Sequence, residues 1–293
     1  MKPLTFLFIS ILVIACSGTK RISETSQKDI VKQQQNIEMK TKVDAIANNI
    51  TKPEIKRDTV HIGSITQPKI EIDTATIYKE AFNHDNWDIL LQHYVSNHGN
   101  VNYKAFKNNR KALLNYITLL SENTPNENWT KADELAYWIN AYNAMTIDLI
   151  LRHYPVKSIK DIEKPWQQRF WKLGEKWYNL DEIEHQILRK MNEPRIHFAI
   201  VCASYSCPKL QNRAFVASNI EEQLTMATKT FLSDSSRNII LENQLQLSKI
   251  FQWFAKDFKQ EGSLIDFINQ YSKIQVSKNT KKSFLDYNWD LNE

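Results

Sequence analysis

Placed on a helical wheel, the segment Ala132 to Arg152 is apolar around almost its whole circumference. Leu135, Trp138, Tyr142, Met145 and Leu149 make one stripe, and Ala136, Ile147, Ile150 and Leu151 widen it until only Glu134, Tyr137, Asp148 and Arg152 are left as a wet strip. A helix of this kind has to be enclosed by other elements, which excludes an open or extended architecture for the part of the chain around it. Two amides, Asn140 and Asn143, project from its apolar side on one face. A buried amide without a partner costs about 1–3 kcal/mol, so each must bind a group on another element. Two roles fit them: clamps that hold a loop, or donors in an active site.

The rest of the 293-residue chain divides by composition. Lys2 and the apolar run Leu4–Ala15 are too short to span a bilayer, which takes about twenty residues, but match the core of a secretory signal. The run ends Leu12-Val13-Ile14-Ala15-Cys16, which resembles the bacterial lipobox, where the cysteine is lipidated and becomes the mature N-terminus. Acyl chains on Cys16 would hold the protein to a membrane surface without a spanning helix. From Ser17 to Thr76 the chain is polar and holds no Phe, Trp or Tyr, whereas all the tryptophans lie at or beyond Trp87. The first stretch cannot build a core, although it has room for a marginal helix near Val31–Ala47. The expected organisation is a lipoprotein signal peptide over 1–16, a polar tether over 17–77 and one globular domain over 78–293. Ser17 follows Cys16 directly, with no acidic residue to argue for inner-membrane retention. The expected location is therefore the bacterial cell envelope, lipid-anchored in the outer membrane and facing the periplasm. A net charge of +5 without basic blocks interleaved with stacking aromatics gives no reason to expect nucleic acid as a partner.

Chemistry concentrates between Arg195 and Pro208, which holds His197 and the two cysteines outside the N-terminal segment, Cys202 and Cys207. Ile196 and Phe198–Val201 are β-branched, aromatic or small, which predicts a short buried strand carrying His197, with Cys202 at its exit and Cys207 in the loop before Pro208. Upstream, Phe170–Tyr178 predicts two extended pieces around Gly174. Asp181-Glu182-Ile183-Glu184 predicts a helix start with Glu184 as a capping-box residue. His185 follows one residue inside that helix, beside the apolar residues Ile183, Ile187 and Leu188. Downstream, the pattern predicts a helix from Ser218 through Leu232, a hairpin over Asn238–Leu247 turning at Glu242-Asn243, helices after Ser248 and over Leu264–Tyr271, and a final strand over Phe284–Leu291. Helices outnumber strands and the strands come as hairpins. The expected class is α+β: a helix-rich single domain with a small, mostly antiparallel sheet.

Several motifs together resemble the bacterial Domain of Unknown Function 547 family. They are Trp138-Ile139-Asn140-Ala141-Tyr142-Asn143-Ala144; Tyr154-Pro155-Val156 with Ser158-Ile159 and Asp161-Ile162; Leu180-Asp181 with Ile183-Glu184-His185 and Ile187-Leu188-Arg189; Arg195-Ile196-His197-Phe198-Ala199; Cys202-Ala203-Ser204 with Ser206-Cys207-Pro208; and Tyr287 with Trp289-Asp290 and Asn292. The resemblance implies Asn140, Asn143, Glu184, His185, His197, Cys202 and Cys207 as signature residues, in a family without an assigned activity.

Two classes of function fit these residues. In one, Cys202 or Cys207 is a nucleophile with His197 or His185 as its base and Asn140 or Asn143 as orienter or oxyanion donor, as in papain-like and transglutaminase-like hydrolases and acyltransferases acting on a peptide or other small envelope substrate. The spacing tells against the simplest pairing, because a five-residue offset puts His197 and Cys202 on opposite faces of a regular strand. In the other, the domain is a binding or structural module of the envelope, with Cys202 and Cys207 in a small-loop disulfide suited to an oxidising compartment. Zinc on His185, His197, Cys202 and Cys207 is a third arrangement, without the closely paired thiols of structural zinc sites; no cofactor is expected. From the lipobox, Cys16→Ser is expected to leave the protein soluble or unprocessed. Fractionation and acyl labelling check this, and an unchanged membrane fraction with undiminished label would refute it.

Overall fold

The computed structural model describes residues 80–293. The signal run, Cys16, the tether with its expected helix and the first residues assigned to the domain lie outside the described residues. Among the described residues no helix is long and apolar enough to cross a membrane.

The all-round apolar segment is helix α4, Lys131–His153, following α1 (Asp85–Tyr94), α2 (Tyr103–Asn108) and α3 (Arg110–Glu122). Thr130 caps α4: its hydroxyl accepts from the Asp133 N–H, and the Asp133 carboxylate accepts from the Thr130 N–H in return. Helices α1 to α3 bury Trp87, Tyr103, Phe106 and Tyr116 in the core that α4 centres. The expected wet strip is a correction. Tyr137 and Asp148 are fully buried, because neighbouring elements bring partners to them. The Tyr137 hydroxyl donates to the Leu120 carbonyl (2.7 Å). Asp148 accepts from Arg110, Arg152 and the Trp171 indole at 2.7–2.9 Å. A wheel reports side-chain polarity, and a buried polar residue with partners looks the same on it as a wet one.

After α4, strands β1 (Trp171–Leu173) and β2 (Lys176–Tyr178) form an antiparallel hairpin around Gly174, whose φ of 55° favours glycine. A helical turn at Leu180–Glu182 follows, capped by Asn179, which accepts from the Glu182 N–H. Glu184 is therefore not the capping-box residue expected of it. The chain continues as a π-helical turn over Ile183–Ile187 and a 3-10 turn over Leu188–Met191.

The predicted strand at Ile196–Val201 is also a correction: Pro194–Phe198 is a 3-10 helix. Pro194 sits at its first position and Glu193 caps it, accepting from the Arg195 N–H, so the local signals start a helix. The β-branched run encodes burial, not extension. It passes between two cores, with Ile196 and Ala199 in the α4 core and Phe198 in a second one that contains Phe251, Phe258 and Phe267.

Helix α5 (Ile220–Ser233), the hairpin β3 (Ile239–Leu241) with β4 (Gln244–Leu247), a helical turn at Ile250–Trp253 and helix α6 (Leu264–Tyr271) enclose that second core. Strand β5 (Lys282–Phe284) pairs parallel to β4. The expected final strand over Phe284–Leu291 is a correction: the strand found shares only Phe284 with it, and the residues beyond make only isolated bridges, Ser158 with Asp290 and Ser204 with Leu291. The described residues form a helix-rich α+β fold with small sheets, mostly antiparallel.

His84 is buried, with Nδ1 2.7 Å from the Tyr116 hydroxyl. Burial lowers its pKa to about 3 against the opposing pull of Asp85. The unfolded chain then binds this proton more readily than the folded one. Below the unfolded value of 6.5 and down to about 3, this group should remove about 1.4 kcal/mol of stability per pH unit. Urea midpoints measured from neutral to acid pH should fall less steeply in His84→Gln; equal slopes would refute the assignment.

Candidate functional site

Asn140 and Asn143 each hold a crossing segment of backbone. Asn140 Nδ2 donates to the Phe215 carbonyl (2.7 Å) and its Oδ1 accepts from the Phe215 N–H (3.1 Å). Asn143 Nδ2 donates to the Ala199 carbonyl (2.9 Å), and its Oδ1 accepts from the Val201 N–H (3.0 Å). Both are clamps, as one sequence reading had it. Neither lines the pocket described below. The second clamp fixes the residue before Cys202 and supplies the backbone partners that a strand would have found in a sheet.

From Cys202 the chain turns sharply. Ala203 adopts a left-handed backbone (φ 58°), uncommon for a residue with a Cβ. The loop is held by the C-terminal segment: Tyr205 N–H donates to the Asp290 carbonyl (2.6 Å), Ser206 N–H to the Asn288 carbonyl (3.2 Å) and Asn292 N–H to the Ala203 carbonyl (3.2 Å). From the other side Arg237 donates to the carbonyls of Cys207 (2.9 Å) and Tyr205. Cys202 and Cys207 are bonded as a disulfide, with Cα atoms 6.3 Å apart. Hydroxyls surround the sulfurs. Ser204 Oγ lies 3.0 Å from Cys202 Sγ, and Tyr287 Oη lies 3.2 Å from Cys202 Sγ and 3.3 Å from Cys207 Sγ. Burial raises the Tyr287 pKa to about 12, so the phenol stays protonated beside them.

A cavity of about 270 Å³ opens beside the disulfide. Glu184, His185, His197 and both cysteines line it, so five of the seven residues expected from the motifs meet in one place. Glu184 arrives by way of the π-turn, a geometry often found at functional sites. One of its oxygens accepts from the Tyr142 hydroxyl of α4 at 3.0 Å. Burial, reinforced by the Glu184 charge, holds the Tyr142 pKa well above the usual phenol value, so Tyr142 is a neutral donor there.

The histidines are held by other groups. His197 is buried, stacks on Phe254 (3.9 Å between centroids) and has Nε2 2.8 Å from Asp257 Oδ2. Burial lowers the His197 pKa against the pull of Asp257, which makes it a neutral imidazole at neutral pH, with the proton on Nε2. For Asp257, burial alone would raise the pKa, but hydrogen bonds from His197 and Arg189 and the Arg189 charge hold it well below the usual carboxylate range. Arg189 reaches Asp257 through two nitrogens (2.6 and 2.9 Å) and His185 Nδ1 through a third (3.0 Å). His185 Nε2 is 3.7 Å from Asp181. Among the described residues, no histidine nitrogen hydrogen-bonds to either sulfur, and no group of three or more His, Cys, Asp or Glu side chains is placed to hold a metal. The four residues considered for zinc are divided: the cysteines bond to each other and His197 to Asp257.

The other wall is aromatic. Trp253 and Trp289 stack at 5.7 Å, Tyr287 packs on both at 4.6–4.9 Å, and Trp166 meets Trp289 edge-on at 6.0 Å. The sequence reading missed Asp257, Arg189, Tyr142 and this wall as parts of a site. Tyr142, Arg189, Tyr287 and Trp289 were in view, within the motifs that carry the family resemblance. Asp257, in an aromatic-rich turn, had no signal.

Residues 126–232 match the model of a family described as "Protein of unknown function, DUF547". Over that region the chain is similar to the DUF547 family. The match runs from before α4 to the end of α5, so the DUF547 region contains the asparagine clamps, Glu184, both histidines and both cysteines, while Asp257, Tyr287 and the outer tryptophans lie beyond it. No curated protein and no solved structure matches the chain.

Replacing Asn143 or Asn140 with leucine strands a backbone N–H and a carbonyl, and should cost roughly 1–3 kcal/mol at either position. Denaturation midpoints check this, and a midpoint equal to wild type would show that the clamp carries no stability.

Proposed function

We propose that this protein is an envelope lipoprotein, anchored through Cys16 in the outer membrane, whose folded domain is a binding module for a small ligand taken up beside a structural disulfide. The observation that carries this reading is the occupancy of the reactive groups. Within the pocket the two sulfurs are committed to each other, and both histidines to Arg189 or Asp257, while the aromatic wall and Glu184 are left to meet a ligand. A pocket that is mostly apolar with a few convergent polar groups is the usual form of a small-molecule site. The disulfide suits an oxidising periplasm.

A second reading, a papain-like or transglutaminase-like thiol hydrolase or acyltransferase, is favoured by one feature. Cys202 is the more exposed of the two sulfur-bearing residues, and hydroxyls of Ser204 and Tyr287 sit where they could donate to a thiolate. After reduction, its base would have to be His197 or His185 freed from its present partner.

Iodoacetamide separates the two. The disulfide reading expects no alkylation of Cys202 or Cys207 in the native protein until reductant is added, and an equal stability loss of about 2 kcal/mol for Cys202→Ser and Cys207→Ser, since either opens the same short loop. Rapid labelling of one of them in the unreduced protein, slowed by His197→Ala or His185→Ala, would overturn it in favour of the thiol enzyme.

A further inference from the structure

The residues around the cavity differ in charge from the rest of the molecule. The chain as a whole is +5, yet the lining carries the carboxylates of Asp181 and Glu184 and neither lysine nor arginine. Asp181 faces His185 at 3.7 Å. Glu184 is buried, and among the described residues no cationic group comes within ion-pair distance (4.0 Å) of it; its hydrogen bond is from the neutral Tyr142. The neighbouring cation, Arg189, is already committed to Asp257 through two guanidinium nitrogens. A ligand that fills this cavity strips water from Glu184. A neutral apolar ligand would leave the carboxylate only the Tyr142 hydrogen bond and the more distant Arg189 charge in place of that water, and an anion would add repulsion; a cation replaces the lost hydration with charge.

Building on the reading of this pocket as a binding site, we propose that its ligand is a small organic cation, an amine or quaternary ammonium. Its charge lies at Glu184 and its carbon framework lies against Trp253, Trp289 and Phe254. The aromatic wall suits such a group, because ring faces attract cations and a quaternary ammonium, unable to donate a hydrogen bond, depends on them. Two of these rings already take a cation from residues that do not line the cavity. Lys160 Nζ lies 5.0 Å from the Trp289 ring centre, and the Arg189 guanidinium carbon 5.2 Å from that of Phe254. A cavity of about 270 Å³ limits the ligand to a small molecule.

The test compares choline with its neutral isostere 3,3-dimethylbutan-1-ol, and with a neutral hexose, on the full chain in detergent, read by isothermal titration. Choline should bind roughly ten-fold more tightly than the isostere, and Glu184→Gln should bring the two close together. Should that variant fail to fold, Trp253→Leu carries the test. The ring is 46% exposed, so its removal spares the core, and it should weaken choline about three-fold while changing the isostere less. Saturable binding of the isostere or the hexose, with choline no tighter, overturns the cation and leaves the pocket a binding site. An unchanged choline preference in Glu184→Gln, or in Trp253→Leu if that is the variant available, also overturns the cation. No saturable binding of any of the three overturns both the cation and the binding-module reading.

Discussion

The two asparagines of α4 make the rest of the structure achievable. A chain segment that crosses a protein core without joining a sheet or a long helix has backbone donors and acceptors to satisfy, and each one left open costs about as much as a lost hydrogen bond. Asn143 offers the segment Ala199–Val201 one donor and one acceptor, as a neighbouring strand would, and Asn140 does the same for Phe215. A helix thereby takes the place of a sheet edge. Because the clamp ends one residue before Cys202, the position of the disulfide is set from the centre of the most buried helix of the fold.

On the other side of the cavity, order comes from charge. Asp257 collects His197 and Arg189, and Arg189 collects His185, so three side chains from separate turns are fixed by one carboxylate. The arrangement keeps both imidazoles in place and holds the Arg189 guanidinium on Asp257, beyond ion-pair distance of Glu184. Tyr142 completes it from α4 by donating to Glu184. The clamps and this network together position the lining of one cavity, in which Glu184 is a buried acid without an ion-pair partner among the described residues.

Much of this was legible in the sequence, and the rest was not for identifiable reasons. Periodicity gave α4, the Trp171–Tyr178 hairpin, the β3–β4 hairpin with its Glu242-Asn243 turn, and α6 to the residue. It failed at Ile196–Val201, where apolar β-branched residues report that the segment is buried, but Pro194 and an amide 58 positions away decide its backbone. Glu184 was read as a cap because the local pattern allows one; its partner is on another helix, 42 residues earlier. The convergence of Glu184, His185, His197 and the cysteines was foreshadowed by the motifs. Asp257 was invisible, since its role depends on a histidine 60 residues away and on no pattern around itself.

The pairing of the C-terminal segment with the cysteine loop bears on how the molecule matures. Tyr287 and Trp289 belong to the cavity wall, Asn292 N–H bonds Ala203, the Asn292 carbonyl accepts from Val101 N–H, and the Asn292 side chain accepts from Tyr103 near the start of the domain. Contacts spanning that much sequence form late, since the ends must meet before they are rewarded. During synthesis the N-terminal part emerges first, so α1 to α5 exist as chain well before the cavity can close. The cavity cannot close before Tyr287 and Trp289 have been synthesised. A chain cut before Tyr287 would keep the whole family-matched region, residues 126–232, and still lack two residues of the cavity wall.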